Sequence, residues 1–319
     1  MFSYRHAFHA GNHADVLKHI TLIATLRHLM LKPAALTLVD THAGAGLYRL
    51  DGDWSTKSGE ATDGIVKLMA ALRPKDGSVP ASGIAAALDD YLTVVAKFNP
   101  AADGDGATSV RQRVYPGSPF IIQHLMRAAS RDRLKLFELH PADSKTLSTH
   151  IARLRSGREI AVLRQDGFEA LRALLPPPPS ASGSRRAMVL MDPSYEIKSD
   201  YAKVGACMQE SLRRFPNGTY LVWYPIIARA EAHDLPRRLR TLSKQAARGW
   251  LHASLNIGQS PELAPRSDRQ QGGGLSASGV FVINPPHTLA ASLQAALPVL
   301  LDILGRGRGK AQSLEYAPA

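Results

Sequence analysis

The feature that most restricts the fold of this chain is a repeated unit: a short apolar run, then an acid or a glycine turn, then a stretch with helical spacing. The runs are LTLVD (36–40) opening into THAGAG, RLKLFEL (133–139), IAVLRQ (160–165) opening into DG, and AMVLMD (187–192) opening into PSYE. Runs that are apolar at nearly every position are buried on both faces, the mark of parallel strands covered by helices. The helical stretches between them are PADSKTLSTHIARL (141–154), FEALRALL (168–175) and residues near 200–214 and 230–246. This alternation predicts an α/β fold with a mostly parallel sheet.

Two regions break the rhythm. Residues 51–113 carry helix-like GIVKLMAALR and IAAALDDYLTVVAKF among Gly- and Asp-rich turns, which predicts a helical insertion. The main domain is then 1–50 with 114–304, and 305–319, which lack periodicity, are expected to form a mobile tail. Near the end, WLHASLNIG (250–258) and SGVFVINP (278–285), with a Gly-rich loop around Gly272 to Gly274, predict an antiparallel pair. At the start, Asn12 is placed to cap a helix with Asp15 three residues on, and Val16, Ile20, Ile23, Leu26 and Met30 follow at helical spacing up to Pro33.

The formal charge of +12 favours a polyanionic partner whose binding weakens with salt. The single cysteine, Cys207, excludes an intramolecular disulfide framework and suits a reducing compartment. No stretch has the roughly 18 uninterrupted apolar residues of a membrane span, and the polar, histidine-rich N-terminus has no apolar leader core. A cytoplasmic protein without membrane contact is the expectation.

In an open parallel sheet, ligands collect beyond the carboxyl ends of the strands. After the first strand, Gly44 and Gly46 permit a tight turn and close approach to a ligand, but Arg49 stands where a dinucleotide fingerprint needs its third glycine. Glu138 ends the next strand, where a carboxylate can accept both hydroxyl hydrogen bonds of an adenosine ribose. Asp166 and Gly167 follow another strand, placed to bind an adenine amino group. Together these describe a nucleoside-cofactor cradle. A nicotinamide-dependent dehydrogenase shares such a cradle but leaves the turn at the end of the 187–192 run unexplained.

That discriminating segment is Asp192-Pro193-Ser194-Tyr195, which resembles the D/N-P-P-Y/F signature of amino-group methyltransferases. An adenine N6 lone pair is delocalised into the ring, so the amine attacks only when its N–H groups are held to direct that pair at an electrophile. The Asp192 carboxylate and the Pro193 carbonyl can accept those two hydrogen bonds, and the Tyr195 ring offers a face on which a flipped base can stack. Across SYRHAFHAGNHADVLKH (3–19), DTHAGAG, YPGSP, FELHP, QDG, MDPSYE and WYP, the chain resembles the bacterial 23S ribosomal RNA adenine-N6 methyltransferases that modify adenine 2030. The family pattern has a second proline where this chain has Ser194.

The resemblance implies a class I, Rossmann-like S-adenosylmethionine-dependent methyltransferase fold with a small helical insertion, and S-adenosylhomocysteine as product. It implies cofactor contacts from His19, His42, Ser118, Glu138, Asp166, Gly167 and Asp192, to which the glycine turn adds Gly44, a catalytic site at Asp192, Pro193 and Tyr195, and contact with substrate RNA from Tyr4, with His6 and Lys18 near the active-site mouth. It further implies 23S rRNA as partner, free of ribosomal proteins or early in assembly, and a monomer. No metal is expected: His6, His9, His13 and His19 span a loop–helix junction without thiolates or a ligand spacing. The rival readings are a DNA adenine-N6 methyltransferase, for which the same tetrapeptide would serve, and a non-catalytic RNA-binding or ribosome-assembly protein.

Overall fold

The computed structural model of the chain describes residues 6–51, 59–73, 83–99, 113–154, 159–181, 183–259 and 275–319. Its strands are β1 (Thr37–Asp40), β2 (Leu47–Arg49), β3 (Val114–Pro116), β4 (Arg133–Phe137), β5 (Ile160–Leu163), β6 (Ala187–Met191), β7 (Thr219–Pro225), β8 (Trp250–Asn256), β9 (Ala277–Ile283) and β10 (Ala311–Ala317). The α-helices are α1 (His13–Leu29), α2 (Lys67–Leu72), α3 (Ala86–Ala96), α4 (Ser118–Leu125), α5 (Pro141–Arg153), α6 (Gly167–Leu174), α7 (Ser199–Arg214), α8 (Ala230–Gln245) and α9 (Leu289–Leu304).

Eight strands form one sheet in the order β10-β8-β9-β7-β6-β1-β4-β5. β1 pairs in parallel with β4 on one side and β6 on the other, so the chain builds outward through β4 and β5 and then returns across β1. The predicted alternation is therefore realised, with the reversal of strand order at β1 and β6. Alternate residues of the central strands point to opposite faces. Leu38, Leu134, Leu136 and Leu190 join the core beneath α1, α4 and α9, while Val39, Phe137, Val189 and Met191 join the core beneath α6, α7 and α8.

β9 lies between β7 and β8, antiparallel to both; the pairing with β8 is the one the two apolar runs predict. Two features of the C-terminal region differ from the sequence-based expectation. Residues 289–304, to which the sequence pattern assigns no element, form α9, with Pro298 inside it and Leu289, Leu293, Leu297, Leu300 and Leu304 buried. Residues 311–317, expected to lie in a mobile tail, form the edge strand β10, antiparallel to β8 from Ala311 opposite Asn256 to Ala317 opposite Trp250. An edge strand exposed on much of its surface carries no continuous apolar run to announce it. It is anchored by the Arg240–Glu315 ion pair at 2.6 Å.

The described part of the insertion is helical. β2 and β3 pair at its base, bringing the departing and returning chain together. Asn99 closes this junction: its Nδ2 donates to the Val95 and Val114 carbonyls, and its Oδ1 accepts from the Arg113 and Val114 amides. Ile65, Leu68, Leu72, Leu88, Tyr91, Leu92 and Val95 belong to the same buried cluster as Val16, Leu17, Ile20 and Ile23 of α1.

Most of the 17 residues of α1 are buried, including His13, Asp15, Lys18 and His19. A helix buried around its circumference needs neighbours on all sides, and the sheet, the insertion and α9 supply them. Its N-terminus is capped as predicted: Asn12 Oδ1 accepts from the Ala14 and Asp15 amides at 3.0 and 2.9 Å. Among the described residues, no helix is long and apolar enough to cross a membrane. Asn12→Ala is expected to cost about 1–2 kcal/mol, the value of a lost N-cap, read as a lower denaturant midpoint; an unchanged midpoint would show that the cap contributes nothing.

Candidate active site

The reversal of strand order places a crevice beyond the carboxyl ends of β1 and β6. A cavity of about 340 Å³ opens there, within the range of small-molecule sites. Three successive strand ends build one side of it. After β1, Gly44 and Gly46 take φ of +60° and +84°, a backbone conformation that favours glycine. The Gly44 amide donates to Glu138 Oε2 at 2.7 Å, and the His140 amide donates to Glu138 Oε1 at 2.7 Å. The carboxylate after β4 is thus pinned against the glycine turn, although burial raises its pKa. After β5, Asp166 caps α6 by accepting from the Phe168 amide at 2.8 Å. A Cβ on Gly167 would meet the Thr41 backbone, with its Cα at 2.7 Å, so only glycine allows these two loops to lie so close.

The floor is polar and shielded from water. Ser118 Oγ donates to Asp40 Oδ2 at 2.6 Å. Burial pushes Asp40 up to about 7, against the Ser118 bond and with the nearby Asp192 charge adding to the rise. Two histidines stand in the wall. Burial pushes His42 down to about 4 and His19 to about 3, leaving both rings neutral near pH 7. His42 Nδ1 lies 2.8 Å from Thr41 Oγ1, and His19 Nδ1 lies 2.7 Å from the Tyr115 hydroxyl. His19 Nε2 is buried without a partner among the described residues. An orphaned ring nitrogen in a cavity wall is what a ligand atom would satisfy.

The fourth strand end, after β6, carries Asp192 and Pro193, both lining the same cavity. Asp192 Oδ2 accepts from Lys18 Nζ at 2.5 Å, and the same ammonium lies 2.8 Å from Asp15 Oδ1. Asp15 Oδ2 in turn accepts from the Gly11 amide at 2.9 Å and lies 3.0 Å from His6 Nε2. His6 lines the cavity, its ring edge-on to Tyr48 at 5.0 Å.

The structure therefore gathers His6, Lys18, His19, His42, Gly44, Ser118, Glu138, Asp166, Gly167, Asp192 and Pro193 around one cavity. Two expectations change, and a third is not reached by the described residues. Lys18, expected at the mouth, is 3% exposed and bound between two carboxylates. Tyr195, expected to offer a stacking face, does not line the cavity: it is buried, its hydroxyl donates to the Trp223 carbonyl at 2.7 Å, and its ring lies 4.5 Å from that of Tyr201. Tyr4 lies outside the described residues. His9 pairs with Glu60 at 3.0 Å and His13 is buried, and among the described residues no group of side chains could hold a metal ion. Sequence reasoning missed Asp15 and Asp40 as site residues. Asp15, three residues before Lys18 on a helix, carried a signal in that spacing; Asp40 carried only its place at a strand end.

The fit to S-adenosylmethionine rests on this donor set: Glu138 beside a glycine turn for ribose hydroxyls, Asp166 for an adenine amine, and the unpartnered His19 Nε2. Residues 33–316 match the family described as ribosomal RNA large subunit methyltransferase D, RlmJ. The chain belongs to this family. It is 37% identical over 305 residues to the ribosomal RNA large subunit methyltransferase J of Haemophilus influenzae, covering 95% of this chain and 94% of that one. The protein of the same name from Escherichia coli is 37% identical over 300 residues, covering 94% and 93%. The crystal structure of a Legionella pneumophila protein superposes with a TM-score of 0.73 at 27% identity, covering 97% of this chain and 98% of that one. As an RlmJ-family member, the chain is a methyltransferase with the α/β fold, shared with the Legionella protein, described above.

The buried histidines of this RlmJ-family member carry a pH dependence. Burial holds His13, His42 and His252 down at about 4 and His19 at about 3. The unfolded chain binds protons on them below about pH 6.5 and the folded chain does not. Their contribution to stability is present above pH 6.5 and lost as pH falls toward 4. Asp40 acts oppositely: with a folded pKa of about 7 against 3.8, its contribution is present below 3.8 and lost as pH rises through 7. Four histidines outweigh one aspartate, so the denaturant midpoint is expected to fall between pH 7 and pH 5. A flat or rising midpoint would mean that these rings are charged in the folded state.

Proposed function

We propose that this chain transfers the methyl group of S-adenosylmethionine to N6 of a specific adenine in 23S rRNA, at the site corresponding to adenine 2030. The observation that carries the reading is the Asp192-Pro193 pair at the end of β6, on the wall of the same cavity as the Glu138 and Asp166 cradle. Bound at that cradle, S-adenosylmethionine would supply an electrophilic sulfonium methyl, with S-adenosylhomocysteine as the product. Glu138 would accept from its ribose hydroxyls and Asp166 from its adenine amine, with His19, His42, Gly44, Ser118 and Gly167 completing the contacts.

For the acceptor, Lys18 occupies Asp192 Oδ2, which leaves Oδ1 and the Pro193 carbonyl to accept the two N–H groups of an adenine amine. Held in that way, the nitrogen lone pair points out of the hydrogen-bonding plane. As the nitrogen bonds to carbon it becomes cationic, and the Asp192 carboxylate stabilises that charge and takes the proton. His6 and the N-terminal Tyr4 are the side chains proposed to meet RNA, and Lys18 acts on Asp192 instead of the substrate. The net charge of +12 supports a polyanionic substrate. The proposal includes a monomer acting in the cytoplasm on RNA free of ribosomal proteins or early in assembly.

Labelled methyl transfer from S-adenosylmethionine to protein-free large-subunit rRNA, followed by nucleoside analysis, tests this reading. N6-methyladenosine is expected, with Asp192→Ala losing on the order of 10³-fold in rate while RNA binding is retained. Matched RNA and DNA hairpins should show RNA preferred. Stronger labelling of DNA would assign the activity to a DNA methyltransferase, and labelling indifferent to Asp192→Ala would remove the chain from catalysis.

A further inference from the structure

We infer that Asp15 is a positioning residue for methyl transfer: its carboxylate anchors the Lys18 ammonium so that it engages one oxygen of Asp192 and leaves the other for the acceptor amine. This deepens the function proposed above and rests on it. The geometry is a continuous chain of contacts: His6 Nε2 to Asp15 Oδ2 at 3.0 Å, Asp15 Oδ1 to Lys18 Nζ at 2.8 Å, and Lys18 Nζ to Asp192 Oδ2 at 2.5 Å. Asp15 is 2% exposed and Lys18 3%, so neither charge is satisfied by water.

Asp15 is itself fixed. The Gly11 amide donates to its Oδ2 at 2.9 Å, and Gly11, at φ +80°, holds the turn that presents that amide. Burial works against the Asp15 charge, but His6 and Lys18 more than offset it and hold the carboxyl well below its usual range. A lysine stem with four rotatable carbons and one partner would follow Asp192 and could cover both of its oxygens. A second, immobile carboxylate one helical turn away prevents this.

Asp15 also shares the Lys18 ammonium with Asp192, so the lysine charge is not spent on Asp192 alone and the free Asp192 oxygen keeps its acceptor character. A carboxylate that merely supported the start of α1 would need neither Lys18 nor proximity to Asp192.

The test is a double-mutant cycle on the full-length protein with Asp15→Asn, Lys18→Met and the pair, measuring melting temperature, cofactor Kd, and RNA kcat and KM. Asparagine keeps the size and the acceptor for Gly11. Asp15→Asn is expected to lower kcat by about 10- to 100-fold, with cofactor Kd and RNA KM within about 3-fold of wild type, and to cost nothing further in the Lys18→Met background. Wild-type kcat in folded Asp15→Asn overturns the inference, as does a full additional loss in the pair. Should Asp15→Asn alone not fold, Lys18→Met against the pair, in which neither buried charge is stranded, decides between the same outcomes. Absence of transfer by the wild type would overturn the proposed function and this inference together, whereas an intact Asp15→Asn overturns the inference alone.

Discussion

The active site depends on a lysine taken out of water and held between two carboxylates. Lys18 can occupy that place only because α1 is immobilised along its length: Val16, Leu17, Ile20, Ile23 and Leu26 seat it in the core. Each fully buried side chain of this kind is worth about 1.5–3 kcal/mol, and together they carry the cost of confining charge near the helix start. The insertion matters here by an indirect route. None of its described residues lines the cavity, yet Ile65, Leu88, Tyr91 and Leu92 pack into the cluster that seats α1, and the Ile65 amide bonds to the Gly11 carbonyl at 2.8 Å. It shapes the site by fixing the helix that carries Lys18.

The cavity divides into two halves of different character that meet where the strand order reverses. On the β4 and β5 side, Glu138 and Asp166 are tied to backbone amides, which suits recognition of a polar ligand in one orientation. On the β6 side, Asp192 is tied to a side-chain cation instead, leaving it an acceptor for a second molecule. Between them, Asp40 lies fully buried with Asp192 close enough to help push it up to about 7. Neutral His19 and His42 add donor or acceptor capacity without adding charge, so the local field is set by the carboxylates and Lys18.

Much of this was legible in the sequence because strand ends in a parallel sheet are functional positions, and each of the four relevant ends announced itself by an acid or glycine after an apolar run. Glu138, Asp166, Gly167 and Asp192 follow from that rule alone. The behaviour of Lys18 did not, since a lysine on a helix reads as solvated until the helix is known to be buried on every side. Helix α9 and strand β10 were missed for opposite reasons: Pro298 interrupts an otherwise apolar helix, and β10 is an edge whose exposed residues give a weak pattern. Tyr195 was misplaced because a tetrapeptide motif specifies residue types, and the direction of a ring depends on a pocket built by Tyr201 and Trp223, both outside the motif.

At the place of the resembled signature's second proline stands Ser194. A proline there would stiffen the loop by restricting Pro193 before it and fixing its own φ. In this chain Ser194 is exposed, and the stiffness comes from the next residue. Tyr195 adopts φ +53°, a conformation unfavourable for a side chain with a Cβ, and is held in it from both ends. Its hydroxyl is fixed on the Trp223 carbonyl, and its own carbonyl accepts from Arg229 Nη1 at 3.3 Å. The motif's aromatic residue thus serves as an anchor driven into the core, and it ties the loop bearing Asp192 and Pro193 to β7. A ring committed to that anchor cannot also face the cavity, and the anchor holds the acceptor loop without a proline at position 194.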